Sequence, residues 1–116
     1  EARAEEVNTE KAELIFVAYG TAARVCKGAI RLAKEEGLEI GLVRPITLWP
    51  YPEKVIQKYA EQGKRFLSVE MNLGQMVEDV KLAVNGKVPV DFYGRTAGVI
   101  PTSEEVLEQA KKILNS

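Results

Sequence analysis

The chain of 116 residues, 46% of them apolar, suits one domain with one continuous core. Sixteen basic and seventeen acidic residues give a formal charge of −1, mixed along the sequence, which excludes the overall positive field that nucleic acid or an anionic membrane would require. One cysteine and no histidine exclude an internal disulfide, a metal cluster ligated only by cysteines of this chain and histidine-based catalysis. Apolar runs are too short for a membrane span or a signal peptide, and we expect a cytoplasmic domain.

The sequence begins at Glu1 rather than at a methionine, inside the polar stretch EARAEEVNTEKAE. We therefore expect a piece of a longer polypeptide, and a small complete protein with a processed start is the alternative. Residues 1–13 are predicted to form a leader, which either adds an antiparallel edge strand around residues 4–8 or links to an upstream domain. Residues 14–116 are predicted to form one α/β domain, because no linker, repeat or low-complexity tract divides them.

Short apolar runs alternate with helical patterns along the rest of the chain. Unbroken runs such as LIFVA are typical of strands that are covered on both faces, as in a parallel sheet. The predicted strands are residues 14–18, 40–44, 66–70 and 88–93. The predicted helices are residues 22–36, residues 53–62, a segment with an apolar stripe from Met76 to Val84, and a segment that follows Thr102. This alternation predicts a three-layer α/β/α fold with a mostly parallel sheet of four or five strands.

Residues typical of helix and strand ends mark several of these boundaries. Thr21 is predicted to cap the first helix and Gly37 to follow its end. Thr102 and Glu105 have the spacing of a capping box, in which each side chain accepts from a backbone N–H of the other residue. Pro89 has no backbone N–H, so the fourth predicted strand either lies at an edge of the sheet or starts near Pro89.

Polar residues at the carboxyl ends of parallel strands are the candidate site residues, because ligands of open α/β sheets bind there. Gly20 and Thr21 follow the first strand at a helix start, where backbone N–H groups favour an anion. The surrounding YGTAARVCKG, however, has neither a dinucleotide-binding fingerprint nor a P-loop. A tight turn with a capping residue explains both positions without a ligand, and we favour that interpretation.

The end of the third strand carries a second group of candidates. Glu70 and Asn72 precede Gly74 and Gln75. A carboxylate at such a position is able to act as a base or to hold a cofactor nitrogen. The alternative, which we favour, is that it caps the following helix or contacts another domain. Arg44 ends the second strand, and we expect its guanidinium to form an internal ion pair with Glu70.

The loop after the fourth strand, with the sequence Gly94-Arg95-Thr96-Ala97-Gly98, is the third candidate. Its glycines allow unusual backbone angles, and Arg95 offers a bidentate donor for a carboxylate or a phosphate. The loop either contacts a ligand or another domain, or it is a solvated loop with a surface arginine. Cys26 is predicted to be a buried, inert thiol, since no histidine is present to activate it. None of these groups predicts catalysis by itself.

Three segments taken in order carry a resemblance to a known family. They are AELIFVAYGTAARVCKGAIRLAKEEG, GLVRPITLWPYPE and FLSVEMNLGQM, of which RPITLWP and EMNLGQ are the most specific parts. Over roughly residues 12–114 the chain resembles the C-terminal domain of the alpha subunits of 2-oxoacid:ferredoxin oxidoreductases. Members of that family act on pyruvate, 2-oxoglutarate or branched-chain 2-oxoacids.

The resemblance implies a fold similar to the transketolase C-terminal domain, with five strands and one antiparallel edge strand. It implies an enzyme that converts a 2-oxoacid to an acyl-CoA by oxidative decarboxylation, with thiamine diphosphate, magnesium and iron–sulfur clusters held outside this chain. The chain itself would be a structural and assembly domain, inactive alone, with no catalytic, cofactor-binding or metal-binding residue. The motif positions carried over, only as scaffold or interface residues, are Arg44, Pro45, Glu70, Asn72, Gly74 and Gln75.

The implied partners are the other domains of the same alpha subunit, the partner subunits and, for the whole enzyme, ferredoxin. A second copy of the isolated domain, forming a homodimer, is kept as a further alternative partner. Two further functions remain as alternatives. One is a free-standing domain that binds a small anion or nucleotide at Gly20 and Thr21 together with Arg95, and the other is the C-terminal domain of a transketolase or 2-oxoacid dehydrogenase subunit.

Overall fold

The predicted alternation of strands and helices is present in the structure, a computed structural model that describes residues 3–46, 51–70, 75–94 and 101–115. In chain order the elements are β1 Ala4–Val7, β2 Leu14–Val17, α1 Gly20–Glu35, β3 Ile40–Pro45, α2 Glu53–Glu61, β4 Arg65–Glu70, α3 Gln75–Val84, β5 Val90–Gly94 and α4 Ser103–Leu114. The strand boundaries agree with those predicted from the apolar runs to within two residues.

The five strands form one sheet in the order β1-β3-β2-β4-β5. The central strand β2 pairs in parallel with β3 on one side and with β4 on the other, and β5 continues the sheet in parallel beyond β4. The leader contributes β1, which runs antiparallel to β3 at the opposite edge. The mostly parallel sheet with an antiparallel N-terminal edge strand is therefore confirmed. Because β2 separates β3 from β4, the side chains of these two strands are not direct neighbours.

Helices cover both faces of the sheet, which is why β2 is apolar at every position. Leu14 and Phe16 pack against α1 and α4, whereas Ile15 and Val17 pack against α2 and α3. All four side chains are fully buried. Burying one such side chain stabilises a fold by about 1.5–3 kcal/mol. The alternation of side chains along one strand thus builds the two cores of a three-layer domain.

The predicted helix ends are mostly confirmed. Thr102 accepts from the Glu105 N–H at 3.1 Å, and Glu105 accepts from the Thr102 N–H at 2.9 Å, which completes the capping box. Gly37 follows the end of α1 with φ +79°, a conformation that glycine adopts without steric cost. The prediction that Thr21 caps α1 is wrong. Tyr19 holds the extended backbone of the cap position, the helix starts at Gly20, and no side chain caps it.

Candidate functional site at the carboxyl edge of the sheet

The carboxyl ends of the parallel strands lie along one edge of the sheet, as predicted. Of the candidate residues, Gly20 starts α1, Arg44 and Pro45 end β3, Glu70 ends β4 and Gln75 starts α3. Asn72, Gly74 and Arg95 lie outside the described residues. Glu70, Arg44 and their neighbours therefore make up the described part of this edge.

Glu70 is a buried carboxylate at the start of a helix. Its side chain is on a residue that is 3% exposed. Oε1 accepts from the Met76 N–H at 2.8 Å, and Oε2 accepts from the Val77 N–H at 2.9 Å. The Ser68 hydroxyl donates a third hydrogen bond to Oε2 at 3.0 Å. These contacts satisfy backbone donors that the first turn of α3 would otherwise leave unpaired.

The Glu70 contacts decide between the two chemical roles considered for it. A general base needs a free oxygen within reach of a substrate proton. Both oxygens of Glu70 already accept from the chain, and a carboxylate in this position is favoured by the positive end of the helix dipole. Capping of α3 by Glu70 is confirmed. Glu70 lies six and seven residues before Met76 and Val77, outside the usual capping spacing, so it caps α3 from the end of the preceding strand.

Arg44 does not pair with Glu70, and that prediction is wrong. Its Nε donates to Glu5 Oε1 at 2.6 Å. The reason is the strand order: β3 pairs with β1 and β2, so the leader strand brings Glu5 opposite Arg44, while Glu70 lies on β4 beyond β2. Lys27 of α1 also reaches Glu5, with 3.1 Å between Nζ and Oε1. One carboxylate therefore joins β1, β3 and α1.

The charges around Glu5 alter its acidity. Hydrogen bonds from Arg44, and next from Lys27, lower the pKa of the Glu5 carboxyl below its usual value. Its side chain is 35% exposed, so solvent screens the pair and the contribution to stability is modest. The sequence did not indicate this cluster, because pairing between β1 and β3 joins residues that are 39 positions apart.

Tyr51 contributes a buried hydroxyl that has no hydrogen-bond partner among the residues that the structure describes. Burial raises the pKa of this phenol, and the negative charges of Asp79 and Glu70 raise it further. A buried polar group without a partner is rare in folded proteins and costs desolvation free energy. Tyr51 was not a candidate from the sequence, where only its place between two prolines was visible.

Gly20 and Thr21 are both exposed at the start of α1. Gly20 has φ +60°, so its lack of a side chain is explained by the turn that begins the helix. The predicted tight turn is confirmed. The part of the chain that the structure describes places no charged side chain in hydrogen bonds with the backbone N–H groups of these two residues.

Metal-binding and nucleophilic groups are sparse in this domain. Among residues 3–46, 51–70, 75–94 and 101–115, no three side chains of His, Cys, Asp or Glu come together as a metal site. Cys26 is fully buried in the core against α4, and burial raises the pKa of its thiol well above the usual value. The predicted inert thiol is consistent with this position. None of the described helices is long and apolar enough to cross a membrane.

A cavity of about 630 Å³ lies at the opposite, amino edge of the sheet. Its lining includes Lys11, Glu13, Lys64 and Arg65. Lys64 already donates to two backbone carbonyls, those of Glu10 at 3.0 Å and Ala12 at 2.6 Å. Because it lies at the amino edge, the cavity is remote from the carboxyl ends of the strands, at which α/β sheets usually bind ligands.

These features define a class of protein: a three-layer α/β domain whose described strand-end polar groups hold its own helices and strands together. A family model, described as pyruvate:ferredoxin oxidoreductase core domain II, matches residues 12–106. The chain belongs to this family of 2-oxoacid:ferredoxin oxidoreductase core domains.

Curated relatives support the same family. Ketoisovalerate oxidoreductase subunit VorB of Methanothermobacter thermautotrophicus is 42% identical over 113 residues, which are 97% of this chain and 32% of VorB. 2-Oxoglutarate synthase subunit KorA of Methanocaldococcus jannaschii is 35% identical over 99 residues, which are 85% of this chain and 26% of KorA. The chain therefore spans a third or less of these relatives.

Two solved structures share the fold. A 2-oxoglutarate:ferredoxin oxidoreductase from Magnetococcus marinus matches with a TM-score of 0.79 and 23% identity, covering 97% of this chain and 19% of that one. The alpha chain of a probable 2-oxoacid ferredoxin oxidoreductase from Thermoplasma acidophilum matches with a TM-score of 0.61 and 24% identity, covering 98% of both chains. At these identities the likeness shows the fold alone. The second match shows that this fold also occurs in a solved chain of nearly the same extent.

Proposed function

We propose that this chain is the core domain II of the alpha subunit of a thiamine diphosphate-dependent 2-oxoacid:ferredoxin oxidoreductase, and that it serves assembly rather than catalysis. The observation that carries the proposal is the family match over residues 12–106. The relatives support it, one named as a ketoisovalerate oxidoreductase subunit and one as a 2-oxoglutarate synthase subunit, because the matching region is one part of each longer chain.

The assembly role is supported by the chemistry of the strand ends. Glu70 is the buried carboxylate at this edge, and its oxygens are committed to the backbone of α3. Cys26 is the one cysteine of the chain, and it lies in the core. A cysteine-ligated cluster needs several thiolates, and magnesium needs several oxygen ligands. We therefore assign thiamine diphosphate, magnesium and the iron–sulfur clusters to other parts of the assembly.

Three further points belong to the proposal. The segments that contain Asn72, Gly74 and Arg95 contact neighbouring domains or subunits, since they follow strand ends. Ferredoxin accepts the electrons of the whole enzyme, and the assembly is located in the cytoplasm. The substrate is a 2-oxoacid that is selected by other domains.

A domain exchange tests the proposal directly. The matching region of VorB from Methanothermobacter thermautotrophicus is replaced by this chain and expressed with the other subunits of that enzyme. We expect the chimera to assemble and to reduce a viologen acceptor with ketoisovalerate and coenzyme A. A chimera that folds, as judged by circular dichroism, but does not join the other subunits would contradict the assembly role.

A second experiment tests whether the chain is inactive alone. The 116-residue chain is mixed with thiamine diphosphate, magnesium, coenzyme A, a viologen acceptor and, in turn, pyruvate, 2-oxoglutarate and ketoisovalerate. We expect no acceptor reduction above a protein-free control. Reduction that scales with the concentration of this chain would overturn the proposal that its own residues carry no catalytic group.

A further inference from the structure

Basic side chains cluster on one face of α1, although basic and acidic residues are mixed along the sequence as a whole. Arg24, Lys27, Arg31 and Lys34 are spaced by three, four and three residues, so they form one stripe along the helix. The stripe extends over eleven residues, and the ten steps between its ends span about 15 Å at 1.5 Å per residue. We call these four residues the basic stripe.

The basic stripe is mostly unpaired. Arg24, Arg31 and Lys34 are exposed, and none of them makes an ion pair among the described residues. Lys27 contacts Glu5 of β1, which shows that the stripe lies beside the β1 edge of the sheet. Arg44 reaches the same carboxylate from β3 and adds a further cation next to the stripe. Two cations, Lys27 and Arg44, thus contact one carboxylate, on a chain whose formal charge is −1.

Carboxylates at the C-terminal end of α1 balance only part of the positive charge on this face. Glu36, just after the helix, pairs with Lys111 of α4. Glu35, the last residue of α1, is exposed and lies four residues after Arg31, so it is the one acidic neighbour that α1 itself gives the stripe. Unpaired charges of one sign on one surface repel each other, and an opposite charge brought by a partner relieves that repulsion.

From this arrangement we infer that the basic stripe, together with Arg44, is a docking surface for a carboxylate-rich surface of a partner protein. The surface already holds one carboxylate in this manner, since Glu5 accepts from Arg44 and from Lys27. Guanidinium groups such as Arg24 and Arg31 are suited to bidentate contacts with further carboxylates. The inference goes beyond the proposed function, because it names a surface and the charge of its partner.

Other polyanions fit this surface less well. The large exposed apolar side chains of the described residues are Ile46, Leu82 and Phe92, and none of them is on α1 to insert into a membrane. No aromatic side chain on α1 offers a stacking platform for nucleic acid bases. A protein surface that presents several carboxylates over about 15 Å matches the length of the stripe.

Binding of fluorescent poly-L-glutamate to the 116-residue chain tests the inference. Three proteins are compared by fluorescence anisotropy at low and at physiological ionic strength: the native chain, the stripe variant R24E/R31E, and the control variant K54E/K81E. Lys54 and Lys81 are exposed on α2 and α3, on the other face of the sheet, so both variants change the net charge equally. We expect the stripe variant to bind at least about tenfold more weakly, and the control variant to bind within about twofold of the native chain.

The same experiment distinguishes the alternatives. Equal weakening of binding in the two variants would show that only net charge matters and would overturn the inference. Tighter binding to a mixed-sequence DNA duplex or to phosphatidylserine–phosphatidylcholine vesicles than to poly-L-glutamate would also overturn it. Amide shifts on adding poly-L-glutamate should be confined to α1, β1 and the end of β3, and their absence there would contradict the proposed location.

Discussion

The hydroxyl of Tyr59 on α2 donates a hydrogen bond of 2.5 Å to Glu6 Oε1 on β1, across 53 positions of sequence. The same hydroxyl lies 2.9 Å from Thr9 Oγ1 and 3.2 Å from Glu10 Oε1. Burial raises the pKa of Tyr59, and the Glu6 hydrogen bond raises it further, so the phenol stays protonated and able to donate. One side chain of α2 thereby holds both the leader strand and the turn that follows it.

Replacing Tyr59 by Phe should destabilise the domain. The change leaves the ring in the core but removes the hydroxyl from the Glu6 and Thr9 side chains, of which Thr9 is buried. The Thr9 hydroxyl still donates to Glu6 at 3.2 Å, so the main loss is the hydrogen bond from Tyr59 to a charged group, which costs about 1–3 kcal/mol. Urea denaturation at pH 7 measures the free energy of unfolding. Compared with the native chain, Tyr59→Phe should increase the amide exchange rates of β1 more than those of the other strands.

The control for this prediction is the same chemical change at Tyr51. Within the described part of the chain its buried hydroxyl has no partner, so Tyr51→Phe removes an unsatisfied polar group and none of the described hydrogen bonds. We expect the free energy of unfolding to be unchanged or to rise by about 0–1 kcal/mol. Equal destabilisation by the two substitutions would show that the Tyr59 contacts contribute nothing beyond the presence of a phenol.

Glu70→Gln should weaken the start of α3. The amide keeps the size of the side chain, but its NH₂ group faces backbone N–H donors and its neutral charge no longer suits the helix N-terminus. We expect a loss of about 1–3 kcal/mol in the free energy of unfolding. Glu78→Gln, on the exposed face of the same helix, is the control and should change it by less than about 0.5 kcal/mol. Similar losses in both variants would argue against the cap.

The elements that the sequence predicted are those whose cause is local. The apolar runs and stripes indicated the strands and the buried faces of the helices, and the Thr102–Glu105 spacing indicated the capping box. The stripe on α3 is an example, since all five of its predicted apolar residues are buried: Met76, Val77, Val80, Ala83 and Val84. A helical stripe, an unbroken apolar run and a capping spacing are all set by neighbouring residues, without reference to distant partners.

The features that the sequence did not predict depend on which strands are neighbours. Arg44 pairs with Glu5 rather than with Glu70, because β3 lies between β1 and β2 in the sheet. Spacing along the chain does not reveal that order. The Tyr59 cluster was missed for the same reason, since it joins α2 to a leader about 50 residues earlier. Thr21 was assigned as a cap from residue type alone, and the turn at Gly20 placed Tyr19 at that position instead.

Gly28→Ala should destabilise the domain although alanine favours helices. A methyl group at Gly28 would lie 2.2 Å from Ser103 Oγ, which donates to the Val25 carbonyl at 2.9 Å. Overpacking of this kind costs about 1–3 kcal/mol, more than the gain of about 1 kcal/mol in helix propensity. Thermal denaturation followed by circular dichroism measures the net effect.

A double-mutant cycle with Ser103→Ala separates this clash from other effects of Gly28→Ala. Removing the Ser103 hydroxyl frees space between α1 and α4, so the cost of Gly28→Ala should be smaller by about 0.5–2 kcal/mol in that background. Strict additivity of the two substitutions would mean that the close approach of the helices is not the cause.

The Glu5 cluster predicts a component of stability that depends on pH. Because the pKa of Glu5 is lowered in the folded chain, the contribution of its carboxylate is complete above the pKa of the unfolded chain, about 4.3. It is lost as the pH falls through the lower value of the folded state. Glu5→Gln should therefore lower the free energy of unfolding at pH 7 by at most about 1 kcal/mol.

Denaturation across the acid range checks this sign. The difference between the native chain and Glu5→Gln should shrink from pH 7 towards about pH 3, and at pH 7 it should also shrink in 1 M salt. Glu104→Gln, on an exposed carboxylate of α4, serves as the comparison. A difference between the native chain and Glu5→Gln that grows as the pH falls would contradict the assignment.

The central place of β2 constrains the order in which the protein is able to fold during synthesis. Leu14 pairs with Ile40 on one side but with Arg65 on the other. A nascent chain that ends before β4 thus presents the apolar segment LIFV with one edge unpaired, and such edges promote aggregation. Chaperone protection of this segment until residue 70 has left the ribosome would raise the yield of folded protein. Ribosome stalling before and after that residue would reveal when protease resistance is acquired.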